Sequence, residues 1–109
     1  MDLPPLRRTV RTGPEAKILQ ELKLYLKRHG WYVKKLHGGK YQSGLPDLVA
    51  FHPVHGQRWI ETKAPGEKLR VSQIYEFEQM DKYGAEVYVL TSYTQYDKLF
   101  GSGNWRRYI

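Results

Sequence analysis

Two apolar runs, Leu48-Val49-Ala50-Phe51 and Trp59-Ile60, each border a carboxylate, Asp47 before the first and Glu61 after the second. The segment between them, Pro53-Val54-His55-Gly56-Gln57, has the composition of a turn, so the pattern predicts a β-hairpin with strands over 47–52 and 58–63. Side chains alternate across a strand, which puts Glu61 and Lys63 on one face and Thr62 on the other. Pairing symmetrically about His55 sets Asp47 opposite Lys63 and diagonal to Glu61. Asp47, Val49 and Phe51 then share a face with Trp59, Glu61 and Lys63. Diagonal Cβ atoms lie about 7–8 Å apart, within reach of two carboxylates bridging one divalent ion. A slip of one residue would turn the carboxylates to opposite faces.

Composition restricts what such a hairpin can serve. The chain has 109 residues, enough for one core, and its 40% apolar and 14% aromatic content is too hydrophobic for a disordered chain. The +7 formal charge points to an anionic partner, nucleic acid being the commonest for a small basic domain. Without cysteine there is neither a disulfide framework nor a thiolate zinc site, so oxygen atoms and histidines are the metal donors that remain. No run of apolar residues is long enough to span a membrane, and the Met1-Asp2-Leu3-Pro4-Pro5 start lacks the apolar core of a signal peptide. An intracellular protein without membrane attachment is expected.

The remaining elements follow from periodicity and stop signals. Residues 1–12, with two prolines and Arg7, Arg8 and Arg11, read as a basic extended arm, and 13–109 as a single domain. Ile18, Leu19, Leu22, Tyr25 and Leu26 form one stripe of a helix over 14–29 that Gly30 ends. A strand is expected over 31–36, then a glycine-rich loop over 37–44. A second helix over 71–83 has Ser72 as its expected cap and Gly84 as its stop. A strand over 86–91, a short helix over 96–100 and a terminal strand over 105–109 complete the order. Helix, three strands, helix, strand fits an α/β or α+β sandwich around a mixed sheet.

The chemistry of the hairpin has two readings. In one, Asp47 and Glu61 are strand-end charges and Glu61 with Lys63 forms a solvated ion network. In the other, Asp47, Glu61 and the Thr62 backbone carbonyl hold Mg²⁺ or Mn²⁺, hard ions that take oxygen ligands and keep waters, one of which is the nucleophile. Lys63 then orients that water, accepts its proton if its own pKa is depressed, or stabilises charge on a phosphate. Burying charges beside apolar runs is costly unless they are paired or coordinated, which favours the second reading.

Gly44-x-Pro46-Asp47, Glu61-x-Lys63, Ala64-Pro65-Gly66 and Leu69-x-x-Ser72-Gln73, in that order and spacing, resemble the VRR-Nuc family of the PD-(D/E)xK nuclease superfamily, over roughly residues 15–90. The resemblance implies a restriction-endonuclease-like core, a mixed central β-sheet flanked by helices. It implies a metal-dependent, structure-selective DNA endonuclease acting on branched DNA such as Holliday junctions, as a homodimer. It further implies a relation to small stand-alone phage members, which would act in the host cytoplasm. Asp47 and Glu61 match the family's metal ligands, Lys63 its catalytic lysine and Gln73 a glutamine on the following helix. A catalytically silent DNA-binding module, or a nuclease acting on flaps or simple duplex DNA, is the alternative.

Families of this type supply a further glutamate from the first helix, and Glu15 lies nearer the centre of the apolar stripe than Glu21. Thr12-x-x-Glu15 also has the form of a capping box, so Glu15 is either a site carboxylate or a helix cap, or both. Gln73 shares the inward side of its helix with Ile74, Phe77 and Met80. An inward glutamine must be bonded: it orients Lys63 or the water, or satisfies a sheet-edge carbonyl. His52-x-x-His55 reads as a loop feature, and His29 as a packed or capping histidine.

The expected DNA face gathers Lys34, Lys35, Lys40, Lys68 and Arg70 with Lys63, and Arg7, Arg8 and Arg11 on the arm, all suited to phosphates. Tyr41 is placed to stack on an exposed base, and Ser43 and Gln42 to touch the scissile phosphate. Tyr88, Tyr93, Tyr96, Phe100 and Trp105 are either a dimer contact or ordinary core.

Overall fold

A computed structural model describes residues 13–36 and 44–109 of the chain. The first helix, α1 (Pro14–Arg28), buries Leu19, Leu22 and Leu26, spaced to lie on one face, and ends at His29 before Gly30 turns the chain at φ 89°. Strands β1 (Tyr32–Lys35), β2 (Leu48–His52), β3 (Gly56–Thr62) and β4 (Val87–Leu90) form one sheet in that spatial order. The first three are antiparallel, and β4 runs parallel to β3 after the crossover helix α2 (Val71–Lys82). Two 3₁₀ segments, Tyr93–Phe100 and Trp105–Tyr108, close the chain.

The alternation of the strands builds two cores, one on each face. Leu48, Ala50, Ile60, Tyr88 and Leu90 pack under α1, with Trp31 and Leu99. Val87 and Val89 pack with Phe77 of α2, Leu69 and Trp105, bordered by Trp59, Ile74 and Met80. Thr62, whose side chain faces away from Glu61 along β3, is fully buried. The mixed four-stranded sheet with helices on both faces is the expected fold class, a restriction-endonuclease-like core.

Three expectations need correction. Leu48 pairs with Ile60 and His52 with Gly56, so the hairpin is centred on Val54 rather than His55 and Asp47 falls opposite Glu61, not Lys63. Gly56 sets this register: at φ 83° it ends a three-residue connection by entering the ladder, a conformation that suits glycine. The shift is by two residues, so the predicted faces survive.

The cap of α2 is Arg70, not Ser72. Its N–H is taken by the Gln73 side chain at 2.9 Å, the glutamine half of a capping box.

The third correction concerns Trp105–Tyr108, which is a 3₁₀ turn and not a strand. The open edge of β4 is engaged at Val89 by a side chain: Asn104 Oδ1 accepts from the Val89 N–H (2.7 Å), and its Nδ2 donates to the Val89 carbonyl (3.0 Å). Trp105 and Tyr108, three residues apart, then meet the same core. Replacing Asn104 by alanine strips both bonds from a buried strand residue. It should cost about 1–3 kcal/mol, read as a lower urea midpoint with unchanged slope.

The aromatic C-terminus divides. Tyr88 and Trp105 are core on opposite faces, and half-buried Tyr96 accepts a hydrogen bond from Trp31 Nε1 at 2.9 Å. Tyr93 and Phe100 retain exposure. His29 caps α1, with Nδ1 2.8 Å from the Tyr25 carbonyl and its ring stacked on Tyr25. His52 Nδ1 accepts from the N–H groups of Val54 and His55, which makes His52 part of the turn, as expected.

Candidate active site

The site forms where the ends of β2 and β3 meet the first turn of α2. Asp47 precedes β2, and its Oδ2 accepts from both the N–H (2.9 Å) and the hydroxyl (2.6 Å) of Thr62. The buried threonine thus fixes the aspartate at the end of the neighbouring strand. Glu61 is only 3% exposed, and its two carboxylate oxygens are treated differently. Oε2 accepts from Gln73 Nε2 at 2.7 Å and lies 3.6 Å from the Lys63 ammonium. Oε1 is buried and meets no hydrogen-bond donor among the described residues. Lys63 is itself 4% exposed, held by its own N–H bond to the Leu90 carbonyl.

Gln73 reaches Glu61 rather than Lys63 or a sheet-edge carbonyl. One end accepts from the Arg70 N–H and the other donates to Glu61, so it ties the start of α2 to the site carboxylate. A neutral donor on a buried carboxylate is the kind of supporting contact whose loss costs about 10- to 100-fold in metal affinity or activity. Gln73→Ala is therefore expected to weaken any Mn²⁺ binding at Glu61 by roughly that factor, measured by calorimetry with circular dichroism checking that α2 persists.

Glu15 sits in the first turn of α1, whose N-cap is Gly13, and Thr12, the other half of the expected capping box, lies outside the described residues. Glu15 shares a hydrogen bond with Glu67, which also accepts the Ala64 N–H at 2.9 Å. Glu67 was not anticipated. The signal was the Pro65-Gly66 dipeptide: Glu67 N–H bonds the Ala64 carbonyl (3.0 Å) and Gly66 has φ 88°, a tight turn that folds Glu67 back toward the site.

Burial and mutual repulsion shape the charges. Glu61 is pushed up to about 7, first by burial and then by the Asp47 carboxylate, against the opposing pull of Lys63 and the Gln73 bond. Glu15 is also raised to about 7, by burial and by its bond to Glu67, while Glu67 is held below the usual carboxylate range. The pull of Lys63 and the push of Asp47 both reach Glu15, and its own charge is felt at Glu61.

Among the described residues no group of three or more histidine, aspartate or glutamate side chains is arranged to enclose a metal ion. The candidate donors, the Asp47 and Glu61 carboxylates and the Thr62 carbonyl next to Glu61 in sequence, are all hard oxygens. Such a set suits a small divalent cation that keeps part of its water shell. The unpartnered Oε1 of Glu61 fits that use, because a buried carboxylate oxygen without a donor is otherwise unfavourable.

Of the expected DNA contacts, Lys34 and Lys35 are exposed on β1, and Lys68 and Arg70 are exposed ahead of α2. Lys68 Nζ donates to the Ile109 carbonyl at 3.3 Å. Arg7, Arg8, Arg11, Lys40, Tyr41, Gln42 and Ser43 lie outside the described residues. No helix among the described residues is long and apolar enough to cross a membrane.

A mixed sheet with helices on both faces and two carboxylates with a lysine at the ends of its central strands define a restriction-endonuclease-like domain. The VRR-NUC domain model matches residues 16–94, and the chain belongs to that family. A solved structure of a VRR_NUC domain is 31% identical, with a TM-score of 0.70 over 82% of this chain and 96% of the other. The fold is also similar to the 1.6 Å structure of Archaeoglobus fulgidus Hjc, a Holliday junction resolvase from an archaeal hyperthermophile. That match has a TM-score of 0.53 and 23% identity over 67% of this chain and 64% of Hjc. No curated protein matches the chain.

Proposed function

We propose that the chain is a metal-dependent endonuclease that hydrolyses phosphodiester bonds in DNA, with branched DNA such as Holliday junctions as its substrate class. The observation that carries the reading is the split environment of Glu61, one oxygen held by Gln73 and Lys63 and the other buried with no donor. A glutamate serving only the sheet would have both oxygens paired. Asp47, Glu61 through Oε1, and the Thr62 carbonyl would hold Mg²⁺ or Mn²⁺, and Glu15, whose charge is felt at Glu61, is a further candidate ligand. The ion would act as a Lewis acid on the phosphate and lower the pKa of water at the site.

The protein's own groups account for the rest. Thr62 locks Asp47 in place, and Gln73 fixes the rotamer of Glu61, so the carboxylates are positioned before substrate arrives. The Lys63 ammonium, beside Glu61, stabilises the charge that develops on the phosphate oxygens. Lys34, Lys35, Lys68 and Arg70 bind flanking phosphates, giving affinity without sequence choice. Membership of the VRR-NUC family supports the nuclease reading, and the fold shared with Hjc supports branched DNA as the substrate. One site per chain suits incision of one strand, and a homodimer would supply a site for each strand of a junction.

The test is incubation with Mg²⁺ or Mn²⁺ and a panel of single-stranded, duplex, flap and four-way-junction DNA. Cleavage of the junction above the other substrates, abolished by EDTA, is the expected result. Cleavage that survives EDTA would remove the metal from the mechanism, and a preference for duplex would remove the branched substrate.

A further inference from the structure

The sheet face that carries Asp47 and Glu61 is covered unevenly. α2 packs on β3 and β4 through Ile74, Phe77 and Met80, and no residue of β1 belongs to that core. On the β1 side of the same face stand Tyr32, 63% exposed, its cross-strand partner Phe51, half-buried, and exposed Lys34. The Tyr32 and Phe51 rings lie 6.1 Å apart at 32°, and the Lys34 ammonium is 5.8 Å from the Tyr32 ring centroid. Val33, between Tyr32 and Lys34, points the other way and packs against the α1 core, so the backbone of β1 fixes the orientation of both neighbours.

We infer that Tyr32, with Phe51 and Lys34, is a stacking platform for an unpaired base of the bound DNA strand. A large aromatic ring left open beside a cation matches a nucleotide: the ring takes the base face and the ammonium takes the phosphate. The net charge of +7 favours an anionic occupant, and exposed Lys35 at the end of β1 extends the cationic edge. The platform lies on the same sheet face as the site, Phe51 and Asp47 being about 13 Å apart along one chain run. That is roughly four base steps of a stacked strand. A paired base inside a duplex has no free face for such stacking, so the platform selects DNA that offers an exposed base near the scissile phosphate, as a branch point does. The inference rests on the nuclease reading for its substrate and deepens it by naming the feature of the DNA that is recognised.

The experiment uses oligonucleotides carrying 2-aminopurine at successive positions beside a branch point, mixed with the full chain in EDTA so that no cleavage occurs. The wild type should quench the fluorophore at a restricted set of positions. Tyr32→Ala should lose that quenching and bind roughly five-fold to a hundred-fold more weakly, the range of one base–aromatic contact. Tyr32→Trp should retain both. Binding to fully paired duplex should be unaffected by either change. Equal quenching and affinity in Tyr32→Ala would overturn the platform and leave the nuclease reading to stand on junction cleavage. A dimer that Tyr32→Ala dissolves, seen by sedimentation, would assign the surface to a second copy and overturn it as well. Absence of any DNA binding by the wild type overturns this inference, whereas the nuclease reading falls only if cleavage with Mg²⁺ is also absent.

Discussion

Glu61→Gln is expected to slow junction cleavage at least a hundredfold while the protein remains folded and bound to DNA. The substitution keeps the shape of the side chain and lets one amide oxygen accept from Gln73 as Oε2 does now. What it removes is the negative charge and the second oxygen, which meets no donor. If that oxygen serves the reaction, the loss falls on the rate and not on the fold. Lys63→Met keeps most of the aliphatic stem but deletes the ammonium 3.6 Å from Glu61, and should cost about 10²–10³-fold, the usual toll of removing one group that stabilises transition-state charge. Asp47→Asn should fall in the same range, because its oxygen can still take the Thr62 bonds while its charge is gone. Single-turnover rates on a four-way junction, with affinity followed separately by anisotropy, separate these effects. A Glu61→Gln rate within tenfold of wild type would show that this carboxylate is outside the machinery.

The parts of that site differ in how far they can be read from the sequence. The sharing of a face by Asp47, Glu61 and Lys63 follows from strand alternation alone, and survives because the register differs by an even number of residues. The register itself depends on the turn. Centring the loop on His55 overlooks what Gly56 permits, a three-residue connection that ends in a glycine at positive φ. Gln73 is legible as an inward polar residue, but its partner is not: whether a glutamine reaches a lysine, a water or a glutamate is fixed by the placement of α2 over β3, which long-range packing decides. Glu67 is harder still, since it joins the site through a turn whose only trace is Pro65-Gly66. The final segment fails for another reason. Trp105 and Tyr108 are spaced by three, a 3₁₀ spacing, yet aromatic content suggests a strand, and only the Asn104 bonds to Val89 explain why β4 gains no further neighbour there.

Stability without metal should fall as pH rises, the reverse of the usual carboxylate pattern. Burial lifts Glu61 from 4.5 to about 7, so between those values the folded chain holds a proton that the unfolded chain has released. The stability linked to this group is fully present below about pH 4.5 and is lost as pH rises through 7. The shift corresponds to something on the order of 3 kcal/mol for Glu61. Glu15, raised to about 7 in the same direction but more open to solvent, adds a smaller, screened share. Glu67, held low, works the other way: its contribution is present above the unfolded value and lost as pH falls through its own folded value. Between pH 5 and pH 8 the two raised glutamates dominate, so in EDTA the melting temperature should drop by about 10 °C or more across that window. A divalent ion that takes the charge of Glu61 and Asp47 removes the reason for the drop, and Mg²⁺ at pH 8 should restore most of it, in proportion to its occupancy. Glu61→Gln, which cannot ionise, should flatten the EDTA profile and lose most of the response to Mg²⁺. A wild-type melting temperature that is the same at pH 5 and pH 8 in EDTA would mean that Glu61 is stabilised as a carboxylate by the protein alone, and the buried oxygen would no longer call for an ion.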